Sequence, residues 1–235
     1  MDFKVVGDAM PCVVCQLNMG EEVQAEAGSL MYMTEGIELN TQMTGGLFAG
    51  VKRMLSGATL FLTHFKCHAH SGQVAFTSHY PAHVRELHLN GDAWLCIQES
   101  FLFSTTGVEI QPAFTQKFGF GIFSGTGFIL QRLGGHGVAY IHGGGNLMDI
   151  DLQPGQHLSV EAGSIVAFQE SVQYNIQLVR GLKNSLFGGD GIYLCSLVGP
   201  GRVTISTLPF SKLAGAILAK ANNQQTANNI NNINF

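Results

Sequence analysis

Short runs of alternating apolar and polar residues, each closed by glycine, proline, asparagine or serine, recur along the whole chain. Among them are FKVVG, CVVCQL, LMYM, TLFLTHFKCHA, QVAFTSHY, WLCIQ, FLFST, GVAYI, LMDIDL, SIVAF, YNIQLV, IYLCSLV and RVTIST. Period-two alternation puts one face of a strand in a core and the other toward solvent, so the pattern predicts an all-β protein. Two segments depart from it. Phe48 to Leu55 reads as a short helical turn. Pro209 to Ala221 places Leu213, Ile217 and Leu218 on one stripe at helical spacing, with Ser211 available as a cap. That segment predicts a short helix docked on the β body or on a neighbouring subunit. Residues 222–235, NNQQTANNINNINF, carry no charge and little to bury, and read as a disordered polar tail.

The pattern repeats. Glu26-Ala27-Gly28-Ser29 returns as Glu161-Ala162-Gly163-Ser164, inside EEVQAEAGSLMYMTEGIEL and QHLSVEAGSIVAFQESVQY. A blurred copy, AWLCIQESFLFSTTGVEI, lies between them and puts Gln98 against the two glutamates and Ser100 against Gly28 and Gly163. In that alignment Glu26 to Ile37 and Glu161 to Val172 span 11 residues, but Gln98 to Val108 spans 10. A second echo follows each copy: LSGATLFL, LGGHGVAY and FGGDGIYL, sharing Gly57, Gly135 and Gly189. Repetition of whole strand groups is read before local propensity, because such units bury their apolar faces against each other. The expected architecture is one all-β domain over residues 1–221, built of three repeats at 1–75, 76–145 and 146–208. These form a closed, pseudo-threefold unit like a double-stranded β-helix, followed by the helix at 209–221. Glycine in the EAG turns is expected to supply a positive φ between strands.

Composition narrows the function. Charged residues are only 12% of the chain and glycine accounts for 30 of 235 residues. A chain so poor in charge exposes apolar surface, which predicts an interface between copies of itself. The net charge of −4 gives no footprint for nucleic acid. The N-terminus lacks a signal-peptide pattern and no charge-free run reaches spanning length, so the protein is expected in the cytoplasm. Five cysteines at irregular spacing fit a reducing compartment rather than a disulfide framework. Cys12-Val13-Val14-Cys15 has the spacing of a redox pair, but in a β-branched run its two side chains point to opposite faces.

The runs MPCVVCQLNMGEEVQAEAGSLMYMTEGIEL, GGLFAGVKRMLSGATLFLTHF, VEAGSIVAFQESVQYNI and TLPFSKLAGAI, in this order over about residues 1–216, resemble one family. It is the mitochondrial-biogenesis family named for yeast mutants with altered inheritance of mitochondria, whose prokaryotic members were long a domain of unknown function. The resemblance implies a fold similar to the tryptophan RNA-binding attenuation protein and a trimeric assembly. It implies no catalytic residues, since none is established for the family. The chain departs from the family pattern at Gly57-Ala58-Thr59 and in the histidine-rich Ser78 to Leu89.

Three functions follow as expectations. The leading one is a non-enzymatic, homo-oligomeric scaffold or interaction protein, with no catalytic, cofactor-binding or metal residues and no cofactor. A second is a peripheral membrane or lipid-associating protein that inserts loop residues Leu47, Phe48, Phe118, Phe120, Phe123, Phe128, Leu186 and Phe187 into an interface. A third is a cupin-like metal enzyme. In THFKCHAH, alternation sets His64, Lys66, His68 and His70 on one face of a strand, and three imidazoles suit Zn²⁺ or Fe²⁺. Lys66 between them would repel a cation, and a solvent-facing polar edge explains the same pattern. Glu26, Gln98 and Glu161 converging on an axis is a further cation arrangement, weakened by the uncharged middle member. Asp149 and Asp151 are expected on the outer face of their strand, and Gly119 to Gly127 lacks the lysine of a phosphate loop.

Overall fold

The computed structural model describes residues 1–26, 28–42, 62–116, 128–179 and 192–231. The first third contains β1 (Asp2–Val6), β2 (Cys12–Asn18), β3 (Glu22–Glu26), β4 (Leu30–Met33), β5 (Ile37–Gln42), β6 (Leu62–Cys67) and β7 (Ser71–Thr77). Its strands pair antiparallel as β1-β2-β7-β4 and as β3-β6-β5. The middle third contains β8 (Ala82–Asn90), β9 (Trp94–Ile97), β10 (Phe101–Thr105), β11 (Val108–Gln116) and the long β12 (Phe128–Gly144). One half of β12 lies between β9 and β11, and the other between β8 and β10. The last third contains β13 (Leu147–Leu152), β14 (His157–Glu161), β15 (Ile165–Gln169), β16 (Gln173–Val179), β17 (Ile192–Val198) and β18 (Gly201–Ser206), paired as β13-β18-β15 and β14-β17-β16. The protein is thus mostly β, in several antiparallel sheets, with one C-terminal helix, α1 (Phe210–Asn231).

Alternation drives this arrangement. In β2, Val13, Cys15 and Leu17 are fully buried while Cys12, Val14 and Gln16 face the other side. In β6, Phe65 and Cys67 go inward while Lys66 is exposed, as the polar-apolar pattern predicts. Inward residues gather in three clusters. The first unites Val13, Phe65 and Phe76 with Phe103 and Tyr140 of the middle third. Phe103 stacks on Tyr140 and on Phe76, with ring centroids 4.7 Å apart in each case. The second cluster is centred on Trp94, Phe101 and Ile141, the third on Leu130, Phe168 and Val203. Sheets also cross the thirds: β10 pairs with β3, and β15 pairs with β9.

The EAG turns are not alike. Gly28 has φ +91°, a conformation that favours glycine, and a Cβ there would sit tightly, 3.1 Å from the His79 ring. Gly163 instead lies in a single 3-10 turn, Ala162–Ser164, which needs no positive φ. Gln98–Ser100 forms the same turn in the middle third. These turns match Ser100 to Ser164 and Gln98 to Ala162, so the alignment of Gln98 with the glutamates is corrected by one residue. Glu26 faces Leu62, Ile97 faces Leu130 and Glu161 faces Leu194, whereas Gly135 of the second echo lies inside β12 opposite Val108, and its expected matches Gly57 and Gly189 lie outside the described residues.

The C-terminus differs from expectation. Helix α1 runs to Asn231, through ten residues read as a disordered tail. After Pro209 there is no proline and the last glycine is Gly215, so nothing in NNQQTANNINN stops a helix once it has begun. Ser211 sits inside the first turn rather than capping it. Ile217 and Leu218 are exposed instead of docked on the β body, and Leu213 is only partly covered. The expected helical turn at 48–55 lies outside the described residues.

Candidate functional site

The strand histidines do not converge. Strand β6 ends at Cys67, so His68 and His70 follow it in the turn toward β7. His64 Nδ1 pairs with Glu22 at 2.7 Å on one neighbouring strand, and His68 Nε2 pairs with Glu38 at 2.8 Å on the other. Register puts Lys66 between the same two glutamates. The polar face of THFKCHAH is therefore a charge-matched sheet surface. Among the described residues no group of three His, Cys, Asp or Glu side chains is placed to hold a metal ion.

Other candidates resolve in the same way. Cys12 and Cys15 occupy opposite faces of β2, and all five cysteines are free thiols. Burial raises the Cys15 and Cys96 thiols far above the ordinary range, the reverse of an activated nucleophile. Asp151 forms a two-pronged pair with Arg202 at 2.7 and 3.2 Å, and Asp149 accepts from Thr204 at 2.8 Å. Of the eight loop residues proposed to enter a lipid interface, only Phe128 is described. It is buried at the start of β12 and unavailable for insertion. The other seven, and Gly119 to Gly127, lie outside the described residues. Among the described residues no helix is long and apolar enough to cross a membrane.

A different set of groups comes together where β3, the turn after β9, the start of β8 and the end of β12 meet. Glu26 ends β3 and shares a face with Leu62, its register partner in the second core cluster. Its carboxyl is raised to about 7, first by burial and then by the nearby Glu99 carboxylate. Glu99 is itself raised by burial. Tyr80, raised to about 12 by burial and by both carboxylates, lies with its ring centroid 5.5 Å from that of His142. His142 is nearly inaccessible and is depressed to about 4, by desolvation and then by His79. Among the described residues its Nδ1 has no hydrogen-bond partner, nor has Oε1 of Gln98 or of Gln131. A cleft of about 180 Å³, lined in part by Met10, His79 and Tyr80, opens beside the group.

Burial thus holds the Glu26 carboxyl above the usual carboxylate range and the His142 imidazole below its ordinary value. Glu161, in the second EAGS stretch, lies outside it and pairs with Lys212 of α1. Carboxylate convergence therefore involves Glu26 and Glu99, not Glu26, Gln98 and Glu161. The repeat alignment pointed at Gln98 and missed its neighbour Glu99. His142 was legible in principle, since GVAYIHGGG sets it in an apolar strand with no charged residue adjacent.

The chain is 25% identical over 215 residues to an uncharacterised protein of Streptococcus pyogenes serotype M6, covering 88% of this chain and 85% of that one. Its fold is similar to the crystal structure of a Streptococcus pyogenes protein, with a TM-score of 0.77 and 24% identity over 93% of this chain and 99% of the other. Residues 3–208 match the family described as mitochondrial biogenesis AIM24, and the chain belongs to that family.

Proposed function

We propose that this protein is a non-enzymatic, homo-oligomeric interaction protein, trimeric in solution and built from three copies of one β unit about a pseudo-threefold axis. The pairing orders support the internal repeat. In each third a three-strand group (β3-β6-β5, β9-β12-β11, β14-β17-β16) joins a group formed by an outer strand, a return strand and the strand after the turn (β2-β7-β4, β8-β12-β10, β13-β18-β15). The bulge falls at one place in each: Leu30/Tyr32, Phe101/Phe103 and Ile165/Ala167.

The observation that carries the oligomeric reading is β4. Met31, Tyr32 and Met33 are large, uncharged and exposed in succession on a sheet edge. Consecutive exposed apolar residues on an unpaired edge are a template for another chain, and a stable protein covers them. Sedimentation equilibrium of the purified protein at micromolar concentration tests the proposal. A mass of three chains is expected; a monomer at that concentration would overturn it.

A further inference from the structure

We infer that the cleft beside Tyr80 takes a small organic cation, a primary ammonium held by the Glu26 and Glu99 carboxylates with its aliphatic stem against Met10 and Pro81. The site is built within one chain and goes beyond the oligomeric reading above.

The charges that meet here are out of balance. Both carboxylates act on Tyr80, and Glu99 acts on Glu26, so the three side chains lie close together. Among the described residues neither carboxylate forms an ion pair, and no basic side chain lowers either one. Other glutamates do meet cations: Glu21 the N-terminal ammonium, Glu161 Lys212 and Glu170 Arg132. Two neighbouring carboxylates with no cation between them repel, and a bound positive charge relieves that cost. Glu26 is half-buried and Glu99 is exposed, so a solute can reach them.

Unpaired polar atoms behind the carboxylates are an independent observation. Gln131 is 1% exposed, and its Nε2 donates to Gln98 O at 3.0 Å. That bond fixes the amide and leaves Oε1 with no hydrogen-bond partner among the described residues. His142 is 3% exposed, and its Nδ1 is unpaired in the same sense. Its ring lies 5.5 Å from that of Tyr80 and within electrostatic reach of His79, and both of those residues line the cleft. Buried polar atoms without partners are rare in folded proteins, so a group of them calls for a ligand or for water that a ligand orders. The Gln131 and Gln98 oxygens are acceptors, and a neutral imidazole protonated on Nε2 offers Nδ1 as another. An ammonium brings three donors and no acceptor, the complement of this lining. The Tyr80 ring adds the attraction of an aromatic face for a cation.

Size restricts the occupant. At about 180 Å³ the cleft falls below the roughly 300 Å³ of a drug-sized pocket, which suits a short-chain amine. Met10, Pro11 and Pro81 supply apolar carbon for the stem.

Binding should also be linked to protons. The titratable groups at the site are Glu26 from β3, Glu99 from the turn after β9, Cys96 from β9, His79 and Tyr80 ahead of β8, and His142 from β12. A cation binds the ionised carboxylate, so affinity should rise about tenfold from pH 6 to pH 8 as Glu26, held at about 7, loses its proton. Glu99, also raised, acts in the same direction, while His142, depressed to about 4, stays neutral over that range.

Isothermal titration calorimetry of the full chain with n-butylamine, against n-butanol as the uncharged isostere, tests the site. Saturable uptake of the amine at pH 8 and none of the alcohol is expected, with protons released on binding at pH 7. Glu26→Gln should weaken binding by about tenfold or more and flatten its rise with pH, and Glu99→Gln should weaken it less. Both changes are nearly isosteric, and a cooperative melt checks that each variant is folded. His79→Ala should keep the rise with pH, which would otherwise belong to that imidazole. Equal uptake of amine and alcohol would show a merely apolar cleft and overturn the inference. No amine binding, or binding that both glutamine variants leave unchanged, would overturn it as well. If Ca²⁺ or Zn²⁺ displaces the amine at lower concentration, the site belongs to a metal ion and the organic cation is ruled out. None of these results bears on the sedimenting mass, so each leaves the oligomeric reading to its own test.

Discussion

Strands β4 and β10 each pair antiparallel with a return strand through a bulge, yet Met31 to Met33 are exposed and Phe101 to Ser104 are buried. What separates them is the neighbour on the far side. Strand β10 has β3 beside it, and through Phe103 it joins the rings of Phe76 and Tyr140; among the described residues β4 pairs with β7 alone. Burial here is a property of the neighbouring strand rather than of the strand's own residues. LMYM is no less apolar than FLFST, and by sequence alone both read as core strands.

The largest expected effect is the one that separates these counterparts. Truncating Phe103 to alanine removes a fully buried ring with two aromatic neighbours, and should cost about 3 to 5 kcal/mol of folding stability. The counterpart change, Tyr32→Ala, should cost less than about 1 kcal/mol when denaturation is followed at dilutions where the chain is monomeric. It should lower the oligomer mass at higher concentration. Equal losses at the two positions under dilute conditions would break the comparison, since they would show β4 already covered within its own chain.

That comparison explains how far the sequence reaches. Alternation located the strands, because one-sided burial writes itself into every second residue. The two EAGS stretches do fall at turns, but the turns differ: Gly28 has a positive φ, whereas Gly163 sits in a 3-10 turn like that of Gln98–Ser100, which has no glycine. The one-residue slip at Gln98 arose from matching side-chain type where backbone position governs. Candidate chemistry was less legible. H-x-H spacing on a strand says that two imidazoles share a face, yet the carboxylates that occupy them, Glu22 and Glu38, come from strands on either side. The Glu26, Glu99, Tyr80 and His142 group is assembled from four separate segments, so no local pattern announces it.

The ends of β3 and β14 extend the contrast. Glu26, at the end of β3 between β6 and β10, is half-buried and raised to about 7, while Glu161, at the end of β14, which among the described residues pairs with β17 alone, meets Lys212. A carboxyl whose folded pKa exceeds its unfolded value contributes stability that is fully present below the unfolded value, near 4.5, and is lost as pH rises through about 7. His142 works in the opposite sense. With its folded pKa depressed to about 4, its contribution is present above its ordinary value of 6.5 and fades as pH falls toward 4. Over the shared window the two slopes oppose each other. Glu26→Gln should therefore raise stability at pH 8 by on the order of 2 to 3 kcal/mol relative to the parent. It should also leave a profile that falls on acidification. Thermal melts from pH 4.5 to 8 check this, and parallel profiles for parent and variant would show that Glu26 is not the group held protonated.

At the end of β14 the matching change should be small. Glu161→Gln removes an ion pair in which both side chains are about a third exposed, and such pairs contribute about 0.2 to 1 kcal/mol. The loss should shrink further in 0.5 M salt, because screening at roughly that ionic strength shortens the reach of an exposed pair to a few ångströms. Urea denaturation at low and high salt measures it. A larger, salt-insensitive loss would place Glu161 in the same buried surroundings as Glu26.

The smallest effect is expected along α1. Its first turn is tied to the β body: the Phe210 ring lies 5.0 Å from Tyr80, Lys212 meets Glu161, and the Pro209 carbonyl accepts from the Lys212 and Leu213 amides. Beyond that turn the helix leaves the surface. Ile217 and Leu218 are 60% and 61% exposed, so truncating them removes little buried area. Alanine is also the better helix former at a site where packing does not decide, which offsets part of any loss. Ile217→Ala with Leu218→Ala should therefore leave the unfolding free energy of the dilute chain within about 0.5 kcal/mol of the parent. By contrast, Tyr80→Ala removes the ring on which Phe210 rests, and should reduce helical content by far-UV circular dichroism. An isolated helix of this composition is marginal in water, so its attachment sustains it. If the Ile217 and Leu218 change instead costs several kcal/mol at oligomer-forming concentration but not at high dilution, a neighbouring copy covers that stripe. A contact between copies would then include α1.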